Sequence, residues 1–474
     1  MADPRRRGRP RPPGGRPPAS RHRVDAARLA AYDVLTAVRV DDAYTNLVLP
    51  SVLRAHGLTG RDAAFATELA SGTLRRQGTY DAVLSACVDR PLAKVQDQVR
   101  DVLRLGAHQL LSMRVPAHAA ISTTVDLVRA KVGQGAAGFT NAVLRRVSEH
   151  ELAGWVRRVA PDPTTDPTGF ASVAHSHPRW IVEELGRAVG QPELDALLAA
   201  DNEAPRVVLV ARPGLATVEE LPGTGTRFSP YGVTLEAGDP GAVAAVIEGR
   251  AGVQDEGSQL VALALTRAAV DDAGPRHSLW LDQCAGPGGK TALLAALAEQ
   301  TGARVLALER QHHRTRLVLR ALTGGAGGHG VVTADGTRPP LVAGTVDRVL
   351  VDAPCSGLGA LRRRPEARWR RTPDDLSTLV PLQKALLSSA IDLARPGGVV
   401  LYATCSPVLA ETSGVVQGVL ADRDDATLED AAGLLPEVPD AAGPLAGTLQ
   451  LWPHRHRTDA MFIALLRKVR PSSG

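Results

Sequence analysis

From about residue 250 the chain alternates short apolar runs with helical segments, and few folds can satisfy that alternation. Residues 278–281, 304–308, 330–333, 347–351 and 399–402 read as strands. Between them, 291–300, 314–322 and about 374–394 carry helical periodicity. Strands apolar on every residue need both faces covered, so the pattern predicts a parallel, doubly wound sheet. A last apolar run, 460–466, reads as a strand closing the sheet edge. In sheets of this kind ligands bind beyond the C-terminal ends of the strands. The residues at those ends therefore carry the chemistry.

After the first strand stands the turn Cys284-Ala285-Gly286-Pro287-Gly288-Gly289-Lys290. Its glycines let a ligand approach the backbone. The spacing is neither G-x-G-x-x-G nor the G-x-x-x-x-G-K of a Walker loop. Glu309 ends the second strand, twenty residues past Gly289, where an acid can accept hydrogen bonds from ribose hydroxyls. Asp335 ends the third strand and is placed to meet an adenine amino group, and Asp352 ends the fourth. Each acid alone could be a helix cap; three at successive strand ends favour a nucleoside cofactor. Lys290 is one of five lysines against fifty arginines, which marks it as a candidate to hold a carboxylate or orient a catalytic aspartate.

Two of the four cysteines share an unusual setting, in Asp352-Ala-Pro-Cys355-Ser-Gly and Tyr402-Ala-Thr-Cys405-Ser-Pro. A thiolate can add to C6 of a pyrimidine and make C5 nucleophilic enough to take a methyl group from a sulfonium donor. Loss of the C5 proton then lets the thiol leave. Asp352 can supply the acid or a hydrogen bond to the base edge, and the base must be unstacked into a pocket. Cys87 reads as an ordinary buried thiol and Cys284 as a packing residue of the turn. Residue types alone do not rank Cys355 against Cys405, although the Pro-Cys nucleophile of DNA cytosine methyltransferases leans towards Cys355.

The rest of the chain is organised differently. Residues 24–150 show helical periodicity, with Leu29, Tyr32, Leu35 and Val38 on one face and Pro50, Pro91 and Pro116 as punctuation, which predicts an all-α domain. Residues 161–168 read as a linker and 169–245 as a small α+β module, leaving 246–474 as the catalytic unit. Residues 1–23 carry eight arginines against one acid, Asp3, more positive charge than the net +5 of the whole chain. That tail is expected to be disordered and to serve either as an electrostatic arm for nucleic acid or as a solubilising extension. Arg362, Arg363, Arg364, Arg368, Arg370 and Arg371, with Trp369 among them, suit phosphate contact and base stacking. The run His454-Arg-His-Arg457 could add positive charge. No apolar run is long enough to span a membrane, and four cysteines without regular spacing argue against a zinc site or a disulfide framework. The expectation is a monomer in a reducing cytoplasm, with no metal.

At these motifs the chain resembles the Sun/Fmu-type RNA cytosine-C5 methyltransferases. The resemblance rests on Cys-Ala-Gly-Pro-Gly-Gly-Lys-Thr (284–291), Asp-Ala-Pro-Cys-Ser-Gly-Leu-Gly (352–359) with Arg363-Arg-Pro-Glu366, Tyr-Ala-Thr-Cys-Ser (402–406) and Val253-Gln-Asp-Glu-Gly-Ser-Gln259. Residues 24–150, with Phe139-Thr-Asn-Ala-Val-Leu-Arg145, resemble the NusB-like domain that such enzymes carry. The resemblance implies a Rossmann-like catalytic domain, S-adenosylmethionine bound by 284–290, Glu309, Asp335 and Asp352, and 16S rRNA as the partner. It implies Cys405 as nucleophile and Cys355 as the group assisting product release. A tRNA methyltransferase and a non-catalytic antitermination-type RNA-binding protein are the rival readings. The chain departs from the family pattern at Gly286, where alanine is common and the change is harmless by size. It departs again at Glu411-Thr-Ser, which puts an assisting role there in doubt, and at Leu209-Val-Ala-Arg-Pro213, which weakens the case for RNA contact by the middle module.

Overall fold

The computed structural model describes residues 24–271, 278–325 and 330–470. The basic tail expected at 1–23 lies outside the described residues. Residues 24–159 form helices only, from Ala26–Val40 to Leu152–Val159. Their apolar faces close a separate core around Leu35, Leu69, Tyr80, Leu103 and Leu144. Tyr32, Leu35 and Val38 are buried, as their spacing requires. Pro50 punctuates nothing; it sits inside the helix Thr45–Ala55. Cys87 is buried, and burial pushes its thiol up to about 11.

The middle region is two structures. Strands β1 (Val208–Ala211), β2 (Thr224–Gly225), β3 (Gly232–Thr234) and β4 (Ala251–Val253) make an antiparallel sheet in the order β2-β3-β1-β4. This small sheet thus runs past residue 245. The helices Arg179–Val189 and Gln191–Ala200 pack instead with Leu358, Leu361, Val408 and Trp452 of the catalytic region. The expected linker is shorter than 161–168, because Pro167 opens the helix Pro167–His175, capped by Asp166.

The main sheet holds β5 (Leu279–Asp282), β6 (Arg304–Glu309), β7 (Gly330–Thr333), β8 (Val346–Asp352), β9 (Ala394–Thr404), β10 (Ala426–Glu429), β11 (Leu449–Gln450) and β12 (Phe462–Lys468). Its order is β10-β12-β9-β8-β5-β6-β7, with β11 beside β12. β5 to β9 pair in parallel, as their apolar runs require. β12 does not close an edge: it lies between β9 and β10 and is antiparallel to both, so the sheet is mixed. Alternate residues serve two cores. Val399, Leu401, Ala403, Ile463 and Leu465 pack against the helices Glu256–Arg267 and Gly289–Gln300. Val400, Tyr402, Phe462, Ala464 and Leu466 pack against Pro373–Leu393 and Ser413–Ala421.

The arginine-rich segment after β8 is a wedge between domains. Arg362 and Arg363 are held by Asp459, and Arg363 also by Asp255. Glu366 accepts hydrogen bonds from the backbone N–H and hydroxyl of Thr45, at 3.1 and 2.7 Å. The Trp369 ring fills the space where a side chain on Gly78 would stand, with a Cβ there 2.3 Å from Cη2. Arg370 donates to Val38 O and Ala43 O and pairs with Asp42. Arg368 is fully buried and donates to Arg75 O, Ser176 O, Asn202 Oδ1 and Asp201 O. The expectation that this segment reads RNA therefore fails for most of it, because its guanidiniums are spent on carbonyls and carboxylates of the protein. Arg364 is the exception: it is exposed, with its guanidinium 5.1 Å from the Tyr44 ring centroid. The basic run at 454–457 is likewise mostly structural. His454 and Arg455 bind Glu193, and His456 accepts from Trp452 N.

Arg368→Ala leaves three buried carbonyls and Asn202 Oδ1 without their donor and removes the main positive charge acting on Asp201. It should cost about 3–5 kcal/mol in denaturant unfolding. An exposed control such as Arg54→Ala should stay within about 0.5 kcal/mol of the parent.

Candidate active site

The strand order sets the candidate residues in a row along the C-terminal edge of the sheet. Passing from β7 to β9, the edge presents Asp335, Glu309, the turn 283–290, Asp352 with Cys355, and Cys405. The acids that suit hydroxyl and amino donors thus lie towards β6 and β7, and the thiols lie at β8 and β9.

The turn is built by close packing. Gly288 has φ +110°, and a Cβ there would lie 2.7 Å from Ala321 Cβ and 2.9 Å from Val318 Cα, so the helix His312–Ala321 presses on it. Thr291 donates to Asp282 Oδ2 at 2.7 Å and ties the first turn of the next helix back to β5. Burial pushes Asp282 up to about 7, and its Oδ1 has no hydrogen-bond partner. Cys284 packs beside the second core, where burial holds its thiol well above the usual range.

Glu309 is buried at the end of β6 and accepts from Gly286 N at 3.1 Å and Gln311 N at 2.8 Å. Arg314 lies 3.6 Å from the same carboxylate and donates to Gly286 O. The sequence gives no hint of Arg314. A Cβ on Gly286 would fall 2.0 Å from Glu309 Oε2 and 2.9 Å from Arg314 Cζ. Alanine there is therefore not harmless by size: it fits only if the carboxylate swings off the Gly286 amide. Asp335 is exposed just past β7, where Thr337 N and Oγ1 bond its Oδ1 and hold the carboxyl below its ordinary value. The buried acid, the close-packed turn and the exposed Asp335 fit an adenosine-type group, whose hydroxyls and amine need acceptors at separated points.

At the other end Lys290 Nζ lies 2.9 Å from Asp352 Oδ2, as its position suggested. Burial works against the ammonium, but Asp352 carries its pKa above the ordinary value. The parallel β8–β9 ladder ends with Asp352 opposite Ala403, and the two loops that leave it bring Cys355 Sγ to 3.4 Å from Cys405 Sγ. The hydrogen bond between the sulfurs splits them. It holds the Cys355 thiol well above its ordinary value and brings Cys405 below, with Lys290 and Arg364 pulling Cys405 the same way. Behind the thiols Glu411, which the sequence left in doubt, is fully buried and bonded to both loops.

The mixed α/β sheet thus carries a nucleoside-type turn and, at adjoining strand ends, two thiols. Comparison with known proteins gives the family. Residues 273–467 match the family model of 16S rRNA methyltransferase RsmB/F, and residues 25–149 that of the NusB family. The chain is 52% identical over 458 residues to the putative methyltransferase Rv1407 of Mycobacterium tuberculosis, covering 95% of this chain and 98% of that one. It is 34% identical to a probable ribosomal RNA small subunit methyltransferase B of Synechocystis, over 94% of this chain and all of that one. The crystal structure of PH0851 superposes with a TM-score of 0.75 over 94% of this chain and 99% of that one; at 22% identity the likeness is one of fold. The chain belongs to the RsmB/F family of S-adenosylmethionine-dependent rRNA methyltransferases. Among the described residues no helix is long and apolar enough to cross a membrane, and no cluster of acidic, His and Cys side chains could hold a metal ion.

Asp282 gives a pH test. A carboxyl whose folded pKa, about 7, exceeds its ordinary 3.8 stabilises the fold most below 3.8 and loses that contribution as pH rises to 7. Unfolding of Asp282→Asn and the parent should therefore diverge in favour of the variant between pH 4 and 7 and run parallel above it. A constant difference across that range would show that the buried group is ionised throughout.

Proposed function

We propose that the chain methylates cytosine C5 in 16S rRNA through a covalent adduct between Cys405 and C6 of the base. The observation that carries this is the thiol pair: two sulfurs 3.4 Å apart, within hydrogen-bond reach of each other, beside the Lys290–Asp352 ion pair. Cys405 is the attacking group because its contact with Cys355 and the charges of Lys290 and Arg364 bring its thiol below the ordinary value, whereas Cys355 is held up. Its sulfur forms the bond to C6, and the electron pair of the C5–C6 bond moves towards C5 and the N3 side of the ring. Asp352, at the same strand end, would accept from the cytosine amino group and, when protonated, would donate its proton to N3 as the ring takes up the electron pair, with Lys290 fixing its orientation. Residues 284–290, Glu309, Asp335 and Asp352 would hold S-adenosylmethionine, whose sulfonium would supply the methyl group. Solvent water would take the C5 proton, the freed pair would re-form the C5–C6 double bond, and the Cys405–C6 bond would break with its pair on sulfur. Cys355, protonated and in contact with that sulfur, assists this release.

RNA is the substrate class that the family and the site surroundings support. Arg364 and Tyr44 offer an exposed guanidinium over an aromatic ring next to the thiols, one from the catalytic domain and one from the helical domain, and such a pair suits a flanking base and phosphate. Small-subunit RNA is favoured over tRNA by relatives named for that substrate over nearly their whole length.

Labelled S-adenosylmethionine offered with 16S rRNA and with tRNA should label 16S rRNA; label in tRNA alone would sink the substrate assignment. Cys405→Ala should abolish transfer. Cys355→Ala should accumulate an enzyme–RNA adduct seen as a retarded band in a denaturing gel, and the reverse pattern would exchange the two roles.

A further inference from the structure

Each catalytic cysteine is followed by a serine, and both serines turn inward to one carboxylate. Glu411 Oε2 accepts from Ser356 Oγ at 2.5 Å and from Ser406 Oγ at 2.6 Å. Glu411 Oε1 accepts from Ser356 N at 2.7 Å and from Gln383 Nε2 at 3.0 Å. The two hydroxyls also touch each other at 3.0 Å. Glu411, Gln383 and Ser406 are fully buried and Ser356 nearly so. The residue is itself held in place, because Tyr402 at the end of β9 donates its hydroxyl to Glu411 O at 2.8 Å. Gln383 donates as well to Pro354 O, the residue before Cys355.

Stability does not explain such an arrangement well. A buried carboxylate held by neutral donors costs desolvation that apolar packing would avoid. What it does supply is geometry. β8 and β9 stop being paired at Asp352 and Ala403; beyond them Thr404 pairs with Phe462 and Gly359 N donates to Cys405 O at 2.9 Å, and the carboxylate adds a link between the residues that follow the two sulfurs. The bonds from Ser356 and Ser406 act one residue after each sulfur, where a small shift in either loop would break a 3.4 Å contact. The negative charge also lies where it opposes ionisation of Cys355, so the same group that sets the spacing favours the protonated form of that thiol.

We propose that Glu411 is a positioning residue that locks the Cys355 and Cys405 loops together, so that the Cys355 sulfur stays within hydrogen-bond reach of Cys405. This rests on the reading of Cys405 as the attacking thiol. Besides Cys355, the charged groups that bear on Cys405 are Asp352, Lys290 and Arg364. Glu411 acts on it through Cys355.

The test reads thiol reactivity without RNA. Alkylation of Cys405 by iodoacetamide is followed against pH by peptide mass spectrometry in the full-length protein, with S-adenosylmethionine binding as the check on folding. Glu411→Ala should move the Cys405 midpoint up by about one pH unit, a roughly tenfold loss of rate near neutrality. Ser356→Ala combined with Ser406→Ala should do the same with the carboxylate still present, and Glu411→Gln should fall between. In a Cys355→Ala background that sulfur is already gone, so Glu411→Ala should add nothing further. An unchanged profile in variants that bind S-adenosylmethionine normally would overturn the proposal, as would an equal shift in the Cys355→Ala background. If Glu411→Ala does not fold, Glu411→Gln and the serine pair decide on the same criteria. A protein that shows this thiol coupling but leaves 16S rRNA unlabelled refutes the cytosine reading and not this one.

Discussion

The parallel pairing of β8 with β9 is the constraint on which the active site depends. These strands are consecutive in the chain, joined through 353–393, and their ladder ends with Asp352 beside Ala403. Because parallel strands end together, the loops that leave them start side by side. Cys355 and Cys405 stand almost equally far beyond that point, and so they meet. On its other side β8 pairs with β5, and Lys290 reaches Asp352 from the first turn of the helix that follows β5. The two registers of β8 thus bring together an ion pair and a thiol pair.

The site is not confined to the catalytic domain. The chain that leaves the Pro-Cys loop passes through the helical domain before it returns in the helix Pro373–Leu393. Glu366, Arg368, Trp369 and Arg370 all make contacts with residues 38–78. Arg371 then donates to Ser356 O, directly beside Cys355. The loop that carries one thiol is thereby tethered at one end to β8 and at the other to a second domain. A NusB-type domain in this chain is part of the scaffold of the catalytic loop, besides whatever surface it offers to RNA.

The readings that failed share a physical cause. Arginine in a Gly/Pro-poor segment next to a site looks the same in sequence whether its guanidinium meets a phosphate or a carbonyl. Arg368 was counted as a phosphate ligand and is instead the largest fully buried side chain among the described residues. β12 reads as a strand from its composition, but its place between β9 and β10 depends on β10, a short segment whose sequence, Ala-Thr-Leu-Glu, carries no clear strand signal. Glu411 looked doubtful because only its neighbours in sequence could be judged. Its partners are serines 55 and five residues away, brought to it by the sheet.

The sequence by itself determined what local periodicity and local chemistry can determine. Apolar runs of strand length between helical segments specify buried parallel strands. A glycine turn after the first strand and acids after the next three specify where a nucleoside cofactor can sit. Two cysteines at like positions mark the chemistry. Only the tertiary structure decided which side chains those residues face. Thr45 and Glu366 are 321 residues apart, and no spacing rule links them. Whether a thiol donates or accepts, whether an arginine is free for RNA, and whether a glutamate holds two loops together are set by contacts between distant segments. Those contacts exist only once the strand order has placed the loops side by side.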